Sequence, residues 1–129
     1  MQNSKVLKAF LGISGLLLTF IGGATLFMPV AIKASSGVDV AGQVSVLNDI
    51  RASAGLILSI GLLILSGTFV KKLTYTSSLV AALSFLSLGV GRITSIMADG
   101  MPVEGMVGAT GLEFMLGITG LILFLKNRE

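Results

Sequence analysis

The chain has no cysteine, no histidine and no tryptophan, and only two of its 129 residues are proline. Without Cys or His there is no disulfide, no thiolate or imidazole nucleophile, no histidine-ligated haem and none of the common zinc sites. The expectation is therefore a protein with no metal and no cofactor. Charge is scarce too: 12% of residues are Asp, Glu, Lys or Arg, against about 25% in a soluble domain. What is present is a chain 53% hydrophobic with 17 glycines. The charges gather in small clusters between long uncharged stretches, as in an integral membrane protein. The net charge of +3 reads as an orientation signal in that setting, and nucleic-acid binding is not expected.

Four apolar runs are long enough to cross a bilayer, at about 6–28, 50–70, 75–97 and 103–125. The first, Val6–Met28, reaches about 34 Å at 1.5 Å per residue. A signal peptide competes here, because Lys5 and Lys8 form a basic start and "AIKAS" offers small residues. A signal h-region is only about 7–15 residues, however, so the run is read as a retained span. Between the second and third spans the turn "KKLT" is short and basic, which makes those helices antiparallel neighbours. Between the third and fourth, "ADGMP" offers a Gly turn and then Pro102 near the start of the last helix, where a missing N–H costs nothing.

The predicted fold is thus all-α, a single domain over 1–129 built as an integral membrane antiparallel four-helix bundle. Lys5, Lys8, Lys71, Lys72, Lys126 and Arg128 fall on one face, against Lys33 alone in the loops of the other, so both termini are expected in the cytoplasm. The connection at 29–48 then lies on the outer side. It is too polar to span and too apolar to be a free linker, and it fits both an alternating and a helical pattern. Its expected place is over the outer helix ends, as a loop or partial cap.

In lipid, helices associate through small residues that let backbones approach. Gly12, Gly15, Thr19 and Gly22 form such a stripe in the first span; Ser84, Ser87, Gly91 and Ser95 in the third; Gly117 and Gly120 in the fourth. The same residues are compatible with a homo-oligomer. "LGISGLLL" at 11–18 resembles "LGITGLIL" at 116–123, but an alphabet of Leu, Ile and Gly produces such matches by chance, and duplication is the weaker reading.

Three ionisable residues are left unexplained by orientation: Arg51, Arg92 and Glu113. A charge near the bilayer centre costs about 2.5–3.5 kcal/mol on insertion scales, so each must gain something where it lies. Helical spacing puts Glu113 on one face with Thr110, Gly117 and Gly120, Arg92 with Ser95 and Asp99, and Arg51 with Asn48, Gly55 and Ser59. Arg92 and Glu113 differ in depth by about 7 Å on these spans, within the reach of an arginine, and are expected to pair. Arg51 and Asp99 both lie near the outer boundary and could pair there. Asn48 and Asp49 suit a helix N-terminus, whereas Arg51 in a first turn would oppose the helix dipole. A buried pair can simply fix helix register, and that reading stands beside a ligand site.

"NDIRASAG" opening the second span, "GRITSIMADGMP" closing the third and "GLEFML" in the fourth resemble a bacterial four-span family, the domain of unknown function 4345. The resemblance covers nearly the whole chain. It implies that Asn48, Arg51, Arg92, Asp99 and Glu113 are the characteristic polar positions, and it implies a multi-pass protein of the bacterial inner membrane. No activity comes with it.

The reading these residues favour is a non-enzymatic membrane protein with a polar pocket in the outer leaflet. Asn48, Arg51, Arg92, Asp99 and Glu113 would bind a lipid-like, quinone-like or other amphipathic molecule. The alternative is a small oligomeric transporter or channel using Glu113, although an acid engaged by arginine is a poor proton carrier. An intramembrane enzyme comes third, because no nucleophile has an adjacent base.

Overall fold

A computed structural model of the chain describes residues 1, 2 and 4–129. Among the described residues are five helices: α1 (Lys5–Phe27), α2 (Pro29–Ser35), α3 (Val44–Phe69), α4 (Thr74–Asp99) and α5 (Glu104–Asn127). A 3-10 turn at Lys71–Leu73 joins α3 to α4, and no strand occurs among the described residues. α1, α3, α5 and the α4 segment are each long and apolar enough to cross a membrane. Gln2 donates its backbone N–H to the Asn127 carbonyl at 2.7 Å, so the two ends of the chain meet on one face, called here the terminal face. The opposite, loop face carries α2 and the α4–α5 turn.

Local chemistry sets the boundaries. The Ser4 hydroxyl accepts the Leu7 N–H at 3.3 Å and opens α1. At the other end of α1, Pro29 has no N–H to continue the ladder and becomes the first residue of α2. α2 stops after two turns: the Val38 N–H returns to the Lys33 carbonyl at 2.9 Å, and Gly37 takes φ +83, the left-handed helix stop that glycine adopts without strain. α3 and α4 are tied near their turn by side chains. Thr74 donates its hydroxyl to the Gly67 carbonyl at 2.9 Å and Ser77 to the Leu63 carbonyl at 2.7 Å.

Two expectations about boundaries need correcting. The 29–48 connection is not a loop throughout, since α2 occupies its first third and α3 begins at Val44. The second span accordingly starts six residues before the expected Ile50. Asn48, Asp49 and Arg51 therefore lie in the second turn of α3 and beyond, not at its N-cap, and the dipole argument against Arg51 falls away. The residue before α3 is Gln43, which makes no side-chain cap.

Arg51 instead extends outward and donates from Nη1 to the Leu26 carbonyl. That carbonyl is one of the groups a helix end leaves without an internal partner, and Pro29 makes the end abrupt. Arg51 thus closes the end of α1. Arg51→Ala is expected to speed amide hydrogen exchange several-fold around Phe27–Ile32 while leaving α5 unchanged, as read by exchange mass spectrometry.

The helices sort into two close pairs, α1 with α3 and α4 with α5. A methyl group added at Gly15 would lie 2.6 Å from the Leu65 amide nitrogen, at Gly22 2.5 Å from that of Leu58, and at Gly61 2.5 Å from that of Thr19. In the second pair, a methyl group added at Gly117 of α5 would lie 2.9 Å from the Leu86 amide nitrogen. Backbone approach of this kind is how membrane helices gain contact where apolar burial gains little. The α4 stripe expected at Ser84, Ser87, Gly91 and Ser95 is not the packing face: Ser87, Gly91 and Ser95 are exposed, and Ser77, Ser78, Ala81, Ala82, Phe85 and Gly89 are buried instead. The resemblance between 11–18 and 116–123 extends to the burial of Gly15 with Gly120 and Leu18 with Leu123, but not to the rest of the packing. Gly12 has room for a methyl where its match Gly117 has none, and Ser14 is buried where Thr119 is exposed.

The two pairs meet only near the terminal face, around Leu7, Phe10, Leu11, Leu18, Ile64, Ala81, Phe85 and Leu123. Towards the loop face they part. α4 has no buried residue after Gly89, and α5 has only Thr110 before Gly117. Large apolar side chains such as Ile13, Phe20, Phe27, Phe69 and Met97 project outward, as they do from a surface that faces lipid. α2 crosses the parted end: it leaves α1 at Pro29, and beyond its C-terminus Ser36 lies 3.8 Å from a methyl placed on Gly105 at the start of α5.

Candidate functional site

The divergence of the helix pairs leaves a cavity of about 530 Å³ under α2, within the roughly 300–1,000 Å³ of small-molecule sites. Its floor is apolar, formed by Leu18, Ile57, Phe85, Leu88 and Leu116. Its mouth is polar. Lys33 and Ser36 reach it from α2 and the residue after it, Asp49 and Ser53 from α3, Arg92 from α4 and Glu113 from α5.

Arg92 and Glu113 form the one ion pair among the described residues, with Nε donating to Oε2 at 2.7 Å. Helix boundaries explain how they meet. Arg92 lies seven residues before the end of α4 and Glu113 nine after the start of α5, so by helix rise their depths differ by about 3 Å, less than the spans drawn from hydropathy suggest. Glu113 is the more enclosed, with 12% of its side chain exposed against 35% for Arg92. Because Arg92 makes its hydrogen bond through Nε, the two Nη groups remain as donors. Arg92 also lines a smaller cleft of about 310 Å³ on the far side, together with Ser87, Gly91, Ser95, Pro102, Met106 and Thr110. Arg92 and Leu88 thus line both hollows.

Of the residues singled out from sequence, Arg92 and Glu113 come together at the cavity and the other three do not. Arg51 closes α1. Asn48 is exposed on α3 and Asp99 on the last residue of α4, and neither lines the cavity. Arg51 and Asp99 form no ion pair. The physical reason lies in the rotation of α3: its cavity wall is Asp49, Ile50, Ser53, Ala54 and Ile57, and at about 100° per residue Asn48, Gly55 and Ser59 fall on the far side.

Sequence reasoning missed Lys33, Ser36, Asp49 and Ser53. Asp49 and Ser53 are one helical turn apart and continue to Ile57, so a signal existed: an acid followed by a hydroxyl at i+4 on an otherwise apolar helix. It was hidden by starting the helix at Ile50, which makes Asp49 look like a cap. Lys33 had no such signal, because nothing in its sequence says that α2 folds back over the bundle.

No curated protein and no solved structure matches the chain. The model of the family described as Domain of unknown function (DUF4345) matches residues 6–124, and on that near-complete match this small helical protein of membrane type, with its four membrane-capable helices, belongs to that family.

Proposed function

We propose that the protein binds one lipid-like amphipathic molecule in the cavity between its helix pairs. The observation that carries this reading is the continuity of an apolar floor with a mouth bearing charges of both signs in one space of about 530 Å³. A polar head would lie among Lys33, Asp49 and Arg92, and a tail along Leu18, Phe85 and Leu116. Glu113 would hold Arg92 in position through their hydrogen bond. α2 would cover the head. On this reading the mouth opens in the outer leaflet, for which the basic clusters of the terminal face speak, and the membrane is the inner membrane of a bacterium, for which the resemblance to a bacterial family speaks.

The packed core on the terminal side argues against a continuous pore within one chain, so the channel reading would require a path between copies. An enzyme lacks support on chemical grounds: Ser36 and Ser53 line the mouth, but neither hydroxyl is hydrogen-bonded to a base among the described residues, and an unactivated serine is a weak nucleophile.

Ser53→Phe tests the binding reading. Ser53 is exposed and lines the cavity, so a phenyl ring there fills the hollow without entering a helix contact. The expected result is loss of the lipid-like species that mass spectrometry detects on denaturing the purified wild-type protein, with the melting temperature of the empty protein retained. If wild type and Ser53→Phe carry the same species in the same amount, the cavity is not the binding site.

A further inference from the structure

The arrangement of charge at the mouth selects among amphiphiles. Lys33 and Ser36 approach from the α2 side, one cation and one hydroxyl. Asp49 and Ser53 approach from α3, one anion and one hydroxyl a helical turn apart. Among the described residues neither Lys33 nor Asp49 has an ion-pair partner. Glu113 is already engaged by Arg92 through Nε, and the remaining Arg92 donors add to the cationic side. The mouth therefore carries two cations, Lys33 and Arg92, and one anion without an ion-pair partner, Asp49, around a single opening.

A purely anionic head would satisfy only half of this. Its phosphate would meet Lys33 and Arg92, but Asp49 would be left facing it without a counter-charge, and unlike-charge matching is what gives such sites their selectivity. An uncharged head such as a quinone would leave both charges unanswered. A zwitterion answers both. The kind of cation is also constrained. A primary ammonium has three N–H donors for carboxylate and hydroxyl acceptors, whereas a quaternary ammonium donates none and is recognised by aromatic faces. Among the described residues the one aromatic side chain lining the cavity, Phe85, is on its floor, away from the mouth.

We infer that the ligand is a lipid whose head joins a phosphate ester to a primary amine, the phosphate held by Lys33 and Arg92 and the ammonium by Asp49 and the Ser53 hydroxyl. The inference rests on the proposed binding role of the cavity and names its ligand class. Its signature is selectivity: phosphatidylethanolamine over phosphatidylcholine and over phosphatidylglycerol of the same acyl chains.

The test is retention from a defined bilayer. The protein is reconstituted in vesicles of equimolar phosphatidylethanolamine, phosphatidylcholine and phosphatidylglycerol, extracted in detergent and weighed intact by native mass spectrometry, with Ser53→Phe marking lipid held outside the cavity. The expected result is one retained phosphatidylethanolamine, at least tenfold enriched over phosphatidylglycerol. Asp49→Asn should remove most of that preference while still retaining lipid, and Lys33→Gln should lower retention of all three phospholipids. Retention in the proportions of the bilayer, a preference for phosphatidylglycerol or phosphatidylcholine, or an unchanged preference in Asp49→Asn would overturn the inference and leave the cavity a binding site. No lipid beyond the Ser53→Phe level would overturn both.

Discussion

Gly61→Val is expected to abolish folding, or to lower the melting temperature in detergent so far that little intact protein survives extraction. A β-carbon at this position would stand 2.5 Å from the Thr19 amide nitrogen and 2.9 Å from the Leu18 carbonyl carbon. Both are backbone atoms, so no rotamer change relieves the clash and α1 must move away from α3. Overpacking commonly costs about 1–3 kcal/mol where side chains can yield; here the cost should exceed that range, against a total stability of about 5–15 kcal/mol. The control is built into the same molecule. Gly108 and Gly111 lie in α5 with nothing within 4 Å of an added methyl, and Gly108→Ala should be neutral or gain up to about 1 kcal/mol from the lower cost of ordering alanine in a helix. Melting curves of the two variants side by side would contradict the packing scheme if they moved together.

Breaking the Arg92–Glu113 pair should be costly in an asymmetric way. Arg92→Leu leaves Glu113, the more enclosed partner at 12% exposure, with no counter-charge, and a loss of about 2–4 kcal/mol is expected for an enclosed charge deprived of its partner. Glu113→Leu leaves an arginine that is already 35% exposed and can extend toward water along its flexible stem, so about 1 kcal/mol is expected. The double variant should recover most of the larger loss, because apolar residues of similar volume often replace a buried pair at little cost. Denaturant titrations of the four proteins form a double-mutant cycle. A purely register-fixing pair would show this coupling with lipid retention unaffected. A pair that also orients Arg92 for a ligand would show loss of retention in all three variants.

The site was legible in the sequence only in part. Glu113 was identifiable because an acid in the middle of an apolar helix has few explanations, and Arg92 because it lay at a compatible depth. Their hydrogen bond at 2.7 Å joins the two charges that the spans could least tolerate alone. Arg51 looked equally anomalous for the same reason, yet it serves the end of α1 through the Leu26 carbonyl. A lone charge in a helix announces that it needs a partner, and the partner can as well be a carbonyl left open where a neighbouring helix ends.

Composition and hydropathy alone determined the membrane-type, all-α character and the number of membrane-capable helices, because crossing a bilayer demands length and apolarity, both of which are local properties of the chain. They also pointed to small residues as carriers of the helix contacts, as Gly15, Gly22 and Gly117 are, though not to Gly61 and not to the right face of α4. The tertiary structure alone decided which face of each helix looks inward. Moving the start of α3 to Val44 and rotating it brought Asp49 and Ser53 to the cavity and turned Asn48 away. It also decided that the helix pairs close at the terminal face and part at the other, and that α2 brings Lys33 over the opening. Those outcomes depend on backbone approach between segments far apart in sequence, where a difference of one residue in rotation exchanges a wall of the cavity for a surface exposed to lipid or water.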